Sequence, residues 1–129
     1  MLTLYGYWRS SASYRVRIAL YLKGLAHDTR SVDLRTGEQT GAAYAALNPS
    51  GLVPTLLTEH GPLTQSLAII EWLEARHAEP PLLPPDPLSA AHVRAAAQTI
   101  ACDVHPLNNL AVLGRLHDMG HDEIARRDW

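Results

Sequence analysis

The chain has 129 residues, of which 47% are hydrophobic and 19% are charged, and its formal net charge is −2. This composition predicts a folded protein of one ordinary domain, or of a small domain followed by part of a second, and argues against disorder. The charge lacks the basic excess typical of nucleic-acid-binding proteins, and no apolar run approaches the roughly 20 residues that span a bilayer. We therefore expect a cytoplasmic protein that binds neither nucleic acid nor membrane.

The first predicted elements are a strand over residues 2–7 and a helix that follows it. Apolar residues recur at helical spacing from Val16 until Gly24 ends the pattern. Ser10 and Ser11 then lie at the helix N-terminus, where unpaired backbone N–H groups and the helix dipole favour an anion. A serine here is also a common N-cap. The stretch predicts either a simple cap or a site that stabilises a thiolate or carboxylate.

The next residues predict an alternation of strands and helices. Residues 27–34 favour a strand, 40–47 a short helix, 53–58 a strand, 59–61 a turn and 62–64 a very short strand. From Ser66, with this serine as the N-cap, apolar residues mark an amphipathic helix. This order predicts a mixed α/β sheet covered by helices.

A proline-rich segment, residues 79–87, predicts a linker between a first domain of residues 1–78 and a helical region of residues 88–129. Residues 88–116 favour one long helix kinked at Pro106, or two helices, and a further helix is predicted from His121. So few helices cannot bury their own apolar faces. We therefore expect this helical region to be incomplete by itself.

Cysteine and histidine residues give little sign of reactive or metal-binding sites. The single cysteine, Cys102, excludes a disulfide within the chain, and its alanine-rich surroundings favour a small buried side chain. His117 and His121 have Gly120 between them and no evident third ligand, which is typical of surface histidines. We predict no metal site, and expect any essential thiol to come from a ligand.

Two further motifs predict an extended ligand. Pro54 is typical of an edge strand, but a cis Val53-Pro54 bond would let the N–H and C=O of Val53 pair with an extended peptide. Gln65 and Ser66 supply an amide, a hydroxyl and N–H groups at a second helix N-terminus. Two helix N-termini and one strand edge suit a ligand with a thiol at one end and a carboxylate at the other.

Together these motifs resemble the glutathione transferase superfamily, and residues 10–20 are similar to its zeta class. Residues 8–11, 46–49, 53–56, 65–71, 82–84 and 105–110 follow the order and spacing of the family, so the resemblance covers essentially the whole chain. It implies a thioredoxin-like N-terminal domain with a mixed four-stranded sheet, part of an all-helical C-terminal domain, glutathione as cofactor, and a homodimer. The implied activity is glutathione-dependent cis–trans isomerisation of a maleyl-type dicarboxylic enone, maleylacetoacetate or maleylpyruvate, in aromatic catabolism.

The resemblance also implies residue roles. The Ser10 hydroxyl donates to the glutathione sulfur, and Arg9 holds a substrate carboxylate. Arg15 is assigned to the glutathione site, although Arg15 or Arg17 could instead serve a structural ion pair. The glutathione-binding positions are Ser10, Ser11, Arg15, Gln39, Val53, Gln65, Ser66, His105 and Asn109.

Two departures from the family leave alternatives open. Ala12 stands where the zeta class usually has cysteine, and family members continue through several more helices, one of which carries a substrate-binding arginine. The alternatives are a general glutathione transferase that conjugates electrophiles, and a truncated, non-catalytic glutathione-binding module.

Overall fold

A computed structural model describes the whole chain, residues 1–129, as two compact units. The N-terminal unit is Met1–Pro84 and the C-terminal unit is Pro85–Trp129. The N-terminal unit contains β1 (Leu2–Gly6), α1 (Ser11–Leu22), β2 (His27–Ser31), a 3-10 turn (Glu38–Thr40), α2 (Ala42–Ala45), β3 (Thr55–Thr58), β4 (Gly61–Thr64) and α3 (Ser66–Arg76). None of the helices is long and apolar enough to cross a membrane.

The four strands form one mixed sheet in the order β2-β1-β3-β4. Strand β1 pairs in parallel with β2 and antiparallel with β3, and β4 forms a hairpin with β3. This confirms the predicted mixed sheet and is the thioredoxin-like arrangement that the family resemblance implies. In the register of the sheet Tyr5 lies opposite Thr55, and Thr55 lies opposite Thr64. The end of β1, the start of β3 and the end of β4 therefore meet at one end of the sheet.

The core of this unit lies between the sheet and the two long helices. Gly6 allows α1 to approach β1 closely, because a Cβ added there would lie 3.0 Å from the Ser13 hydroxyl oxygen. The close approach buries Ser13 completely. The buried apolar cluster consists of Leu4, Val16, Ala19, Leu20, Leu56, Ile69 and Leu73.

Several predicted boundaries differ from those observed. Strand β3 begins at Thr55 and not at residue 53, because Pro54 has no N–H to give to the ladder. The helix predicted over residues 40–47 is a 3-10 turn followed by the single turn of α2. Ser66 is the first residue of α3 and not its N-cap. The chain turns one residue earlier, at Gln65, which has φ 66°.

Residues 77–83 are held on the N-terminal unit by a buried ion pair that the sequence analysis did not predict. The Lys23 ammonium lies 2.6 Å from Glu74 Oε2 and donates to the carbonyls of His77 (2.6 Å) and Pro80 (2.9 Å). The Glu74 carboxylate also accepts from the N–H of Leu82 at 3.0 Å. Burial opposes ionisation of Glu74, but these hydrogen bonds outweigh it and lower its pKa.

The C-terminal unit contains α4 (Pro87–Gln98), a π-helix (Thr99–Val104), a 3-10 turn (His105–Asn108), α5 (Leu110–Asp118) and α6 (Glu123–Asp128). The interruption lies at Pro106, as predicted, and α5 begins afresh at an Asn109 cap. Cys102 is exposed, so its predicted burial is wrong. Small neighbouring alanines raise helix propensity without creating a core, and only Ala90 is buried in this unit.

Candidate functional site

Four loops or turns that carry predicted site residues are connected to strands at the same end of the sheet. Ser10 follows β1, Val53 precedes β3 and Gln65 follows β4 at the end where Tyr5, Thr55 and Thr64 align. The chain leaves β2 at the same end, since Gly6 lies opposite Ser31, and later reaches Gln39. A Cβ added to Gly51 would lie 3.4 Å from the Gln39 carbonyl oxygen, so Gln39 borders the loop that carries Val53.

Ser10 is the N-cap of α1. Its hydroxyl oxygen accepts from the Ser13 N–H at 3.1 Å, and its carbonyl accepts from the Tyr14 N–H at 2.9 Å. The structure therefore confirms the cap. An accepting hydroxyl retains its own proton for donation. No acidic residue lies in the first turn of α1 to offset the positive helix end. The cap and the anion-stabilising role are thus compatible in one side chain.

Three arginines lie on α1 or in the loop that precedes it. Arg9 is exposed, and its guanidinium carbon lies 5.6 Å from the centre of the Trp8 ring. Arg15 is half-buried on α1. Arg17 donates to the carbonyl oxygen of Trp8 at 3.1 Å and to that of Tyr7 at 3.5 Å. Arg17 thus binds the backbone of the loop from which Arg9 projects, and Arg9 is left available to an external anion.

The loop before β3 is held by side chains that the sequence analysis did not single out as site residues. The Tyr44 hydroxyl and the Asn48 amide each donate to the Leu52 carbonyl at 2.7 Å. Both also contact the buried Thr55 hydroxyl. The Val53-Pro54 bond is cis, which decides between the two alternatives left open by the sequence, and neither the N–H nor the C=O of Val53 takes part in a hydrogen bond within the chain. Asn48 could have been recognised in the sequence as a turn residue, because it directly precedes Pro49.

Tyr44 acts in this loop as a neutral hydroxyl. Burial raises its pKa, and the hydrogen bonds with Thr55 and Asn48 offset part of this effect. The phenol therefore stays protonated at neutral pH. It can donate to the Leu52 carbonyl throughout the physiological range.

Gln65 and Ser66 form the second helix start. Gln65 has φ 66° and ψ 113°, the only non-glycine residue with a positive φ, and such a conformation costs about 1–3 kcal/mol. No side chain caps α3 and no acid lies in its first turn. The first backbone N–H groups of α3 therefore point out of the helix without a capping acceptor. Ser66 is buried, whereas Gln65 is exposed.

Gln39 carries the one buried side-chain polar atom for which the structure gives no hydrogen-bond partner, its amide oxygen Oε1. Buried polar atoms are nearly always hydrogen-bonded, so an orphaned acceptor calls for an explanation. A ligand N–H beside the Val53 loop would satisfy it. This is an observation from the structure that the sequence could not provide.

The two remaining predicted residues belong to the C-terminal unit. His105 is half-buried and begins the 3-10 turn directly after the π-helix, a type of helix often found at functional sites. Asn109 caps α5 by accepting from the Val112 N–H at 3.0 Å through its side-chain oxygen. That cap leaves the amide nitrogen of Asn109 able to donate.

The structure offers no group of three or more His, Cys, Asp or Glu side chains placed to hold a metal ion. His117 and His121, four positions apart in sequence, are both exposed. Their placement agrees with the prediction that they are surface histidines.

Comparison with known proteins identifies the family. The profile of the glutathione S-transferase N-terminal domain matches residues 9–76, which include α1, the Val53 loop and the start of α3. The chain belongs to the glutathione S-transferase family. The matched range contains Arg9 and seven of the predicted glutathione-binding positions: Ser10, Ser11, Arg15, Gln39, Val53, Gln65 and Ser66.

Individual family members resemble the chain along nearly all of its length. A maleylacetoacetate isomerase of Pseudomonas aeruginosa is 51% identical over 98% of the chain and 61% of its own length. A solved holo structure of a zeta-class maleyl pyruvate isomerase superposes with a TM-score of 0.96 at 46% identity, over 98% of this chain and 60% of that one. A maleylacetoacetate isomerase structure from Anaeromyxobacter dehalogenans 2CP-1, with bound dicarboxyethyl glutathione and citrate, superposes with a TM-score of 0.83 at 45% identity. The match covers 99% of this chain and 59% of that one. The chain thus spans about 60% of the length of these glutathione S-transferase relatives.

Proposed function

We propose that this protein is a glutathione-dependent isomerase that converts a maleyl-type cis-enone dicarboxylate, maleylacetoacetate or maleylpyruvate, to its trans isomer. The observation that carries the proposal is the meeting of two acid-free helix N-termini and an unpaired strand edge at one end of the sheet. This arrangement fits an extended ligand that is anionic at both ends. The similar proteins are named as isomerases of maleylacetoacetate and maleylpyruvate, which supports the choice of substrate.

The groups at this end of the sheet suggest one orientation for glutathione on the N-terminal unit. Its γ-glutamyl carboxylate binds the N–H groups at the start of α3 with Gln65 and Ser66. Its cysteinyl backbone pairs with the N–H and C=O of Val53, and a peptide N–H near the glycyl end satisfies Gln39 Oε1. The thiol then reaches the Ser10 hydroxyl at the start of α1. Ser11 and Arg15 extend this anion site.

The Ser10 hydroxyl stabilises the thiolate. A hydrogen bond to a charged group contributes about 1.5–3 kcal/mol, which corresponds to a fall of about 1–2 units in the thiol pKa. The positive end of α1 acts in the same direction. Because the thiolate is the nucleophile, both effects raise its concentration at neutral pH. The chain itself contributes no thiol here, since Ala12 occupies the position that is usually cysteine in the zeta class.

The reaction consumes no glutathione. The thiolate adds to one carbon of the cis double bond, and the π electrons move to the conjugated carbonyl to form an enolate. The new single bond rotates, and the enolate then re-forms the double bond in the trans geometry and expels the thiolate. Cations and N–H dipoles stabilise the enolate, and Arg9 holds a substrate carboxylate. The dicarboxyethyl glutathione bound by the relative is the kind of thioether that such an addition forms, which supports this route.

We propose that the enzyme acts in the cytoplasm, in the breakdown of aromatic compounds. Maleylacetoacetate and maleylpyruvate arise in such pathways, including those of tyrosine and phenylalanine. A homodimer is expected by analogy with the family.

Isomerase activity is tested with maleylacetoacetate and maleylpyruvate, followed by ultraviolet absorbance with and without glutathione. We expect glutathione-dependent isomerisation that Ser10→Ala abolishes and Ser10→Thr, which keeps the hydroxyl, partly retains. The thiolate absorbance of bound glutathione should titrate about 1–2 pH units higher in Ser10→Ala. Equal activity of Ser10→Ala and the wild type would remove the assigned role of Ser10. Conjugation of a model aromatic halide without isomerisation would favour a general transferase instead.

A non-catalytic glutathione-binding module is the second candidate, because the acid-free helix starts and the orphaned Gln39 Oε1 favour ligand binding without requiring turnover. Calorimetry with glutathione beside the turnover assay separates the two. Binding without turnover of either substrate supports the module.

A further inference from the structure

Arg17 makes an unusual set of contacts for a helix residue beside a candidate active site. Its guanidinium donates through two different nitrogens to two consecutive backbone carbonyls, those of Trp8 (3.1 Å) and Tyr7 (3.5 Å). It also lies over the Tyr14 ring, 5.3 Å from the ring centre. The planar fork of arginine can satisfy such paired acceptors, whereas a lysine ammonium binds as a point. These contacts join the middle of α1 to the loop that follows β1.

The stronger of the two bonds acts on the peptide unit that leads into Arg9. The Trp8 carbonyl and the Arg9 N–H belong to one planar peptide, so fixing the carbonyl fixes the direction in which the chain enters Arg9. Arg9 is exposed and otherwise rests only on the Trp8 ring. Without Arg17, the orientation of the Arg9 side chain would depend on an exposed loop and one cation–π contact.

Ser10 is held mainly by hydrogen bonds that do not involve Arg17. Its N–H donates to the Tyr7 carbonyl at 3.0 Å, its hydroxyl accepts from Ser13 and its carbonyl accepts from Tyr14 within the first turn of α1. The bond from Arg17 to the Tyr7 carbonyl is the longer one and adds little to this set. Loss of Arg17 should therefore disturb Arg9 and leave the Ser10 cap in place.

We propose that Arg17 is a positioning residue for Arg9: it binds the Trp8 carbonyl, and so sets the direction in which Arg9 presents its guanidinium to the substrate carboxylate. The proposal rests on the proposed isomerase function and names a determinant of its acidic substrate. It requires that Arg17 govern substrate binding and not glutathione binding.

The test compares Arg17→Met, which keeps the aliphatic stem, with Arg17→Lys and with the control Arg30→Met, which removes an exposed arginine of β2. We expect Arg17→Met to raise KM for the dicarboxylate at least about tenfold while the Kd for glutathione stays within about twofold, as for loss of one charged hydrogen bond. Arg17→Lys should recover only part of this loss. The difference should persist at high ionic strength, since a merely steering charge would be screened.

Amide hydrogen exchange provides a readout that does not depend on turnover. Arg17→Met should accelerate exchange in peptides covering residues 7–10 and leave those covering α3 unchanged. Unchanged exchange in the loop, an unchanged KM in an active enzyme, full rescue by lysine, or an equal loss of glutathione and substrate binding overturns the positioning role. Absence of isomerase activity in the unmodified protein overturns the proposed function, and this inference with it, even if the loop exchanges faster.

Discussion

Replacing Lys23 with methionine tests the ion pair that fastens residues 77–83 to α1 and α3. The Lys23 side chain is fully buried, and its ammonium contacts Glu74 (2.6 Å), the His77 carbonyl (2.6 Å) and the Pro80 carbonyl (2.9 Å). Methionine fills a similar volume and removes all three contacts. The Glu74 carboxylate then lacks its counter-charge.

The expected loss follows from the burial of the two partners. Removing one partner of a buried ion pair costs about 3–5 kcal/mol, because the other charge is left uncompensated. The Glu74 side chain is 17% exposed and keeps its hydrogen bonds from Leu82 and Leu83, so the value should lie near the lower limit, about 3 kcal/mol. Native domains are stable by only about 5–15 kcal/mol, so the loss is a large fraction of the free energy of unfolding.

Urea unfolding of Lys23→Met, Glu74→Gln and the double variant measures both the loss and the coupling. Because the double variant has no unpaired buried charge, it should be more stable than the sum of the single losses indicates, by at least about 1 kcal/mol. Arg76→Met, an exposed position on α3, is the control and should change stability by less than about 0.5 kcal/mol. A loss below about 1 kcal/mol in Lys23→Met, or strict additivity in the double variant, would refute the reasoning.

Three further predictions concern the N-terminal unit. Because folding lowers the pKa of Glu74, ionised Glu74 contributes its full stabilisation above its ordinary pKa of 4.5, and this stabilisation is lost as the pH falls through the lower pKa of the folded state. Lowering the pH should therefore reduce the free energy of unfolding of the wild type more steeply than that of Lys23→Met. Tyr44→Phe removes the hydroxyl that donates to the Leu52 carbonyl and should cost about 1–2 kcal/mol in urea unfolding, with a loss near zero arguing against the bond. Gln65→Gly should relieve the strain of the positive φ and, after subtraction of the unfolded-state entropy that glycine adds, stabilise the unit by about 1 kcal/mol while weakening glutathione binding in calorimetry; a destabilisation of about 1 kcal/mol or more would show that φ 66° carries no strain.

Local patterns were sufficient to predict most of the sheet and the start of α1. Residues 2–6 alternate and pair in the sheet, and Ser10 lies between the end of that strand and a run of apolar residues at helical spacing. Both features are set by neighbours in the sequence, so they can be predicted without knowing the tertiary contacts. The prediction erred by one residue at α3, where Ser66 resembles a cap but the cap position is Gln65, which has a positive φ that residues other than glycine seldom adopt.

Long-range contacts account for what the sequence did not predict. Lys23 bonds to a carbonyl 54 residues away, and nothing in the pattern around Lys23 distinguishes it from an ordinary surface lysine at a helix end. Arg17 likewise looked like one of two candidates for an ion pair, but it binds carbonyls of the preceding loop. The side chains of these residues find their partners only after α1 has packed on the sheet.

The candidate site is the part of the N-terminal unit where features unfavourable to stability coincide. Gln65 is strained, the start of α3 has no cap and Gln39 has a buried acceptor without a partner. Each of these costs free energy in the ligand-free chain, and each occurs in a segment that borders the same end of the sheet. A ligand with a carboxylate for α3 and an N–H for Gln39 would offset two of these costs at once. Glutathione, the proposed cofactor, carries both groups, together with the thiol that we propose to ionise at the start of α1.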